Sequence, residues 1–213
     1  MNSSNTDERA TPAGEVRSTS ATARRPEMVT WQGYREPRLE QVRLLLSDQR
    51  RLRASGRLVT AGPDEQFSAS FEVGVGEEGT VKRLLLRSAT VEEEKQISLS
   101  RTADGAWLVD TGKGSERREF GGAMDVDVQF VVLFNSIPIR RLGLHREAGE
   151  HVLPVVRVSL PDLSVQVVEQ TYRTVSVGDD TSVINFSSGD FSSDLVVDAQ
   201  GIVVDYPQVS RRI

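Results

Sequence analysis

The chain has 213 residues, 26 Lys and Arg against 31 Asp and Glu, a formal charge of −5 and no cysteine. That length suits one β domain with a tail and is enough to bury a core without covalent staples. The missing thiols exclude disulfides, thiolate nucleophiles, iron–sulfur clusters and Cys-based zinc sites. The net negative charge argues against general nucleic-acid binding, which needs a positive footprint.

Residues 1–26 carry Ser, Thr, Ala, Pro, Gly and charge, with one valine at Val16. Such a segment buries too little apolar surface to offset its ordering entropy. The expectation is a disordered tail over 1–26 and a single β domain over 27–213. The N-terminus lacks the apolar centre of a signal peptide. No stretch reaches the roughly 18–20 apolar residues of a helical membrane span. A cytoplasmic protein with no integral membrane segment is therefore expected.

From Met28 onward, short apolar runs recur between Gly, Pro, Asp and Asn clusters, the texture of a mainly β domain. Leu39, Val42, Leu45 and Leu46 also fit a helical spacing. As strands, 41–47 and 51–59 would pair around Asp48, Gln49 and Arg50, and this hairpin suits the surrounding β pattern. Ala69, Phe71, Val73 and Val75 then alternate onto one strand face. The run Gly74-Val75-Gly76-Glu77-Glu78-Gly79 fits a dinucleotide fingerprint literally. That motif needs a helix after it, and two carboxylates would face the phosphates, so it reads as a hairpin turn. Further turns are expected at 103–105, 161–162, 178–180 and 188–190. Roughly eleven strands follow by this procedure, with no strand–helix rhythm of a doubly wound fold.

In 125–130, Val126, Val128 and Phe130 alternate with Asp125, Asp127 and Gln129. Two carboxylates on one strand face could serve acid–base chemistry or a cation. The favoured reading is a structural polar network of Asp125 and Asp127 with Arg140 and Arg141. The segment 131–142 is strongly apolar, holds Pro138, and contains the two arginines near its end. Proline cannot donate to a ladder, so an edge, bend or crossing is expected there. Asn135 suits an αL turn or a bond to free backbone, and paired arginines can clamp a phosphate or carboxylate. His145 and His151 flank a polar turn. No zinc-protease, nucleophile-elbow or P-loop motif is present. No catalytic residue, metal or cofactor is assigned.

Asp125-Val126-Asp127-Val128-Gln129-Phe130 followed by Asn135-Ser136-Ile137-Pro138-Ile139-Arg140-Arg141-Leu142 resembles the central signature of the bacterial glycolipid-binding family, long catalogued as a domain of unknown function. Gly201-Ile202-Val203-Val204-Asp205-Tyr206-Pro207 is similar to that family's closing motif, and Leu160-Pro161-Asp162-Leu163 and Thr171-Tyr172-Arg173 also match. Trp31, the run around Gly56, and Gly105-Ala106-Trp107 look like its first half. Phe134 departs from the family's usual Thr, and Val131-Val132 from a more polar stretch. The resemblance implies a curled antiparallel sheet, or open half-barrel, similar to bacterial lipoprotein carriers, with few short helices. It implies non-enzymatic binding of a lipid or glycolipid. The expected apolar lining is Phe71, Val73, Val126, Val128, Phe130 and Val158; Asn135, Arg140, Arg141 and Tyr206 are expected to meet the ligand as well. The alternative is a protein-interaction or scaffold domain with a fully packed core. A hydrolase or isomerase built on Asp125 and Asp127 is the third reading. No protein partner is named.

Overall fold

The structure, a computed structural model, describes residues 1, 25–47, 50–63 and 65–213. The expected tail over 1–26 falls almost wholly outside the described residues, as do Asp48 and Gln49 of the expected hairpin turn.

Among the described residues, one sheet of fifteen strands makes up the fold. Its first arm is β1 (Glu27–Gly33), β2 (Arg38–Leu46), β3 (Leu52–Ala61), β4 (Gln66–Val75), β5 (Val81–Ala89), β6 (Glu94–Arg101), β7 (Trp107–Asp110) and β8 (Ser115–Arg118). Its second is β9 (Asp125–Val128), β10 (Glu150–Val158), β11 (Val165–Ser176), β12 (Thr181–Ser188), β13 (Phe191–Asp198), β14 (Val203–Tyr206) and β15 (Ser210–Arg212). β1 to β8 and β10 to β15 are each a meander, and the two arms are joined where the first strand pairs with the last, Trp31 opposite Arg212. All neighbours run antiparallel except β9 with β10. The sheet is open, ending at β8 and β9.

The strand count exceeds the roughly eleven expected from sequence. β8 (SERR) and β15 (SRR) carry no apolar residue to mark them. The hairpin reading of the ambiguous segment holds: β2 pairs β3 from Arg38↔Thr60 to Leu46↔Leu52. The glycine-rich run 74–79 is the turn between β4 and β5, closed by Gly76 N–H to Thr80 O and Gly79 N–H to Gly76 O.

In β2 to β5 every second side chain is buried, and these residues make the inner face: Val42, Leu44, Ala54, Leu58, Phe71, Val73, Leu84 and Leu86. The sheet curls until the segment entering β9 meets the first arm. Trp107 Nε1 donates to Ala123 O at 2.9 Å, and Val81 N–H donates to Met124 O at 3.2 Å.

The segment expected to be an edge or crossing strand is instead the one α-helix among the described residues, α1 (Leu133–Leu142). The parallel pair β9–β10 requires it, because parallel neighbours need a crossover connection, usually helical. Leu133 to Ile139 are all buried, Pro138 included. With Asn135 and Ser136 buried beside the apolar residues, the helix lies in the interior, where packing outweighs the bond that proline removes. Phe134 of α1 packs on Phe71 of β4 with ring centroids 5.4 Å apart. The concave face is thus filled by the chain's own helix.

Candidate functional site

Beside that filled interior lies an open pocket of about 360 Å³. It sits at the low end of the ~300–1,000 Å³ range of small-molecule sites. Its walls come from the end of β9 and the turn into α1 (Asp127 to Val132), from Asn135, from Arg157 of β10, and from the β12–β13 and β14–β15 turns.

One wall is aromatic. Phe186 and Phe191 flank the β12–β13 turn and Tyr206 ends β14, so the two turns bring three rings together. Their centroids are 6.1 Å (Phe186–Phe191), 6.2 Å (Phe186–Tyr206) and 6.2 Å (Phe191–Tyr206) apart. These spacings suit tilted and edge-on ring contacts. Phe191 remains 45% exposed, so its ring is open to an incoming molecule. Across the pocket Phe130 carries the Arg38 guanidinium over its ring at 4.9 Å, within cation–π range.

The base is polar. Asn135 Nδ2 donates to Tyr172 Oη at 3.1 Å, the Tyr172 hydroxyl donates to Gln170 Oε1 at 3.1 Å, and Gln170 Nε2 donates to Asp127 Oδ2 at 2.9 Å. This relay fixes the orientation of each member, and it ends on a carboxylate that lines the pocket beside Arg157. Burial raises the pKa of Asp127, opposed by Arg157 and the Gln170 bond. Burial and the nearby carboxylate of Asp127 also push Tyr172 and Tyr206 up, so both remain phenols that donate rather than phenolates. Acceptors, donors and apolar rings thus converge on one space, the composition of a site for an amphipathic small molecule.

Among the described residues, two of the four non-glycine positions with positive φ fall in this pocket, the other two being Phe120 and Leu163. Phe130 (φ 68) and Gln208 (φ 67) both line the pocket and both hold left-handed conformations that bulky residues rarely adopt. Such positions concentrate at ligand sites, where surrounding packing must hold them.

The residues singled out in the sequence separate into three groups. Val128, Phe130, Asn135 and Tyr206 line the pocket together. Val73, Val126 and Val158 are instead buried core, at most 4% exposed, with Phe71 packed on the helix among them. Alternation identifies an inward side chain but cannot say that a helix will fill the space in front of it. The arginines meet different partners. Arg141 pairs with Asp125 at 2.5 Å, and Arg140 donates to the Gln200 carbonyl. Asp127 is held by Gln170 and has Arg157 as its charged neighbour. Of the expected Asp–Arg network, Asp125 is 1% exposed and makes its ion pair with Arg141, while Asp127 turns to Gln170. Arg38, Arg157, Phe186 and Phe191 escaped the sequence reading. The one signal for the two phenylalanines is that both lie within two residues of the expected turn Ser188-Gly189-Asp190.

Glu40 is a further buried acid outside the expected set. Its Oε2 and Oε1 accept the backbone N–H groups of Val132 and Leu133 at 2.6 and 3.3 Å, capping α1 from a distant strand. Among the described residues no group of three or more His, Asp and Glu could hold a metal. No helix among them is long and apolar enough to cross a membrane.

A family model described as "Putative glycolipid-binding" matches residues 28–212. No curated protein matches. A solved DUF1089 family protein from Pseudomonas aeruginosa is 21% identical, with a TM-score of 0.66 over 97% of this chain and 100% of that one. A β-barrel-like protein of the domain of unknown function DUF1849 from Brucella abortus is 10% identical, with a TM-score of 0.51 over 88% of this chain and 94% of that one. At these identities the two structures establish a shared fold. The family model spans nearly every described residue, and the chain therefore belongs to the family so described.

Proposed function

We propose that this chain binds an amphipathic, sugar-bearing lipid without transforming it, and that the head group occupies the pocket between Phe130, Asn135 and the Phe186–Phe191–Tyr206 wall. The observation that carries this reading is the convergence of an aromatic wall with a polar base ordered by the Asn135–Tyr172–Gln170–Asp127 relay. Sugar hydroxyls both donate and accept, and Asp127, Asn135 and Arg157 offer both partners. The rings offer an apolar face to the ligand's remaining surface. Family membership supports the ligand class.

This reading moves the ligand away from the concave face. A long acyl chain cannot replace α1 there, so its distal part extends from the pocket mouth past the exposed Phe191. Burial of a few methylenes against these rings contributes roughly 0.8 kcal/mol each. Affinity then depends mainly on the head group.

The test is binding of an alkyl glycoside, followed by calorimetry, to the wild-type chain and to Phe191→Ala and Asp127→Asn. Saturable binding that weakens at least tenfold in both variants supports the reading. Absence of binding, together with no co-purifying lipid by mass spectrometry, overturns it. The filled concavity favours a second reading, a protein-interaction domain with a packed core. That reading gains if the wild-type chain binds no amphiphile.

A further inference from the structure

We propose that the outward face of β2 to β5 docks on a bilayer leaflet carrying anionic phospholipids. The proposal does not rest on the pocket, which lies on the other side of the sheet.

The face is set by strand register. Arg57 and Arg87 sit opposite Ser70 from either side, and Arg53 and Arg83 sit opposite Gly74 in the same way. Strands two apart are separated by about 10 Å, and four residues along a strand cover about 13 Å. Four guanidiniums therefore project from the corners of a plane, with small residues between the members of each pair. Two open furrows result, about 640 Å³ beside Arg57, Ser70 and Arg87, and about 430 Å³ beside Arg53, Gly74 and Arg83. A fifth arginine, Arg43, borders the second furrow. All five arginines are exposed. None of them forms an ion pair among the described residues; Glu72 is the one carboxylate set between them, and Glu94 borders the first furrow beside Lys95.

This concentration stands on a chain whose net charge is −5, so the positive charge is local and directional. Arginine's planar fork matches phosphate oxygens and is lightly hydrated, which favours headgroup phosphates over simple counterion exchange. The neighbouring exposed side chains decide between a membrane and a polynucleotide. Met28, Leu39 and Val59 stand out from the same face at 60%, 45% and 51% exposure, with Leu39 directly opposite Val59. Aliphatic side chains beside cations suit the boundary between headgroups and acyl chains. Single-stranded nucleic acid needs exposed aromatic platforms, and none stands among these arginines.

The experiment is co-sedimentation of the full chain with phosphatidylcholine vesicles and with mixed phosphatidylcholine–phosphatidylglycerol vesicles. The expected result is retention on the mixed vesicles alone, lost as salt is raised because exposed charges are screened. Arg57→Glu with Arg87→Glu lowers that retention at least tenfold, with circular dichroism checking the fold. Glu72→Lys, which adds charge at a surface position, raises it. Equal retention on the two vesicle types overturns the proposal, as does insensitivity to both variants. Preferential capture of a single-stranded oligonucleotide that competes the protein off vesicles also overturns it.

Discussion

Glu40 Oε2 accepts the backbone N–H of Val132 at 2.6 Å, so an acid of the second strand caps a helix that begins more than ninety residues later. The contact closes two donors that α1 would otherwise leave unpaired in the core. It also ties the first arm of the sheet to the crossover of the second. Glu40→Ala should cost about 2–4 kcal/mol, the penalty of burying unsatisfied donors. Urea denaturation below pH 5 measures it without the charge effect that follows.

Burial pushes the Glu40 carboxyl from 4.5 up to about 8, against the pull of the Val132 and Leu133 N–H groups and of Arg38. Between those values the folded state holds a proton that the unfolded state has released. This group's contribution to stability is therefore full below about pH 4.5 and declines as pH rises through about 8. Its slope reaches up to about 1.4 kcal/mol per pH unit. Glu40→Gln keeps an acceptor oxygen and does not titrate. Comparison of urea midpoints at pH 5 and pH 8 should show a smaller decline for Glu40→Gln than for the wild type.

The buried pair of Asp125 with Arg141 makes a different expectation. The carboxylate is 2% exposed and the guanidinium 12%, so losing either partner strands a charge in low dielectric. Arg141→Met and Asp125→Ala should each cost about 3–5 kcal/mol, and the double variant should cost less than their sum. A double-mutant cycle in chemical denaturation tests this.

Gly56 faces inward opposite Phe71, and a Cβ there would fall 2.3 Å from the ring's Cζ. The ring cannot simply retreat, because Phe134 packs against it. Gly56→Ala should destabilise by about 1–3 kcal/mol, as overpacked cores do. Phe71→Leu added to Gly56→Ala should recover part of that loss, read by thermal melting.

Core and site should respond oppositely. Phe71→Ala removes a ring that is 2% exposed and should cost about 3–5 kcal/mol. Phe191 is 45% exposed, and Phe191→Ala should alter stability by about 0.5 kcal/mol or less. Its effect should fall on amphiphile binding, so melting and calorimetry on the two variants separate the roles.

The strands were legible wherever one face is wet, because alternation then reports the fold directly. The β2–β3 hairpin and the turn at 74–79 are such cases. Helix α1 was not legible: polar Asn135 and Ser136 are buried together with the apolar residues around them and Pro138 interrupts the run, so no clean apolar-against-polar helical period exists to read. Strands β8 and β15 escaped for the opposite reason, having no apolar residue at all. The signature around Asp125 to Leu142 contributes Asp127 to Val132 and Asn135 to the pocket walls, and the pocket draws equally on Phe186, Phe191 and Arg38, distant in the chain. Those residues meet only because the first strand pairs with the last and the β12–β13 turn folds beside Tyr206.

The most direct test of the central claim is a map of amide shifts in the isotope-labelled chain on titration with an alkyl glycoside. Shifts should concentrate at Phe130, Asn135, Arg157, Phe191 and Tyr206, with Phe71, Val73 and Val126 unmoved. Shifts centred on those three core residues, or no saturable shift at any residue of the pocket, would contradict a ligand bound beside the helix-filled sheet.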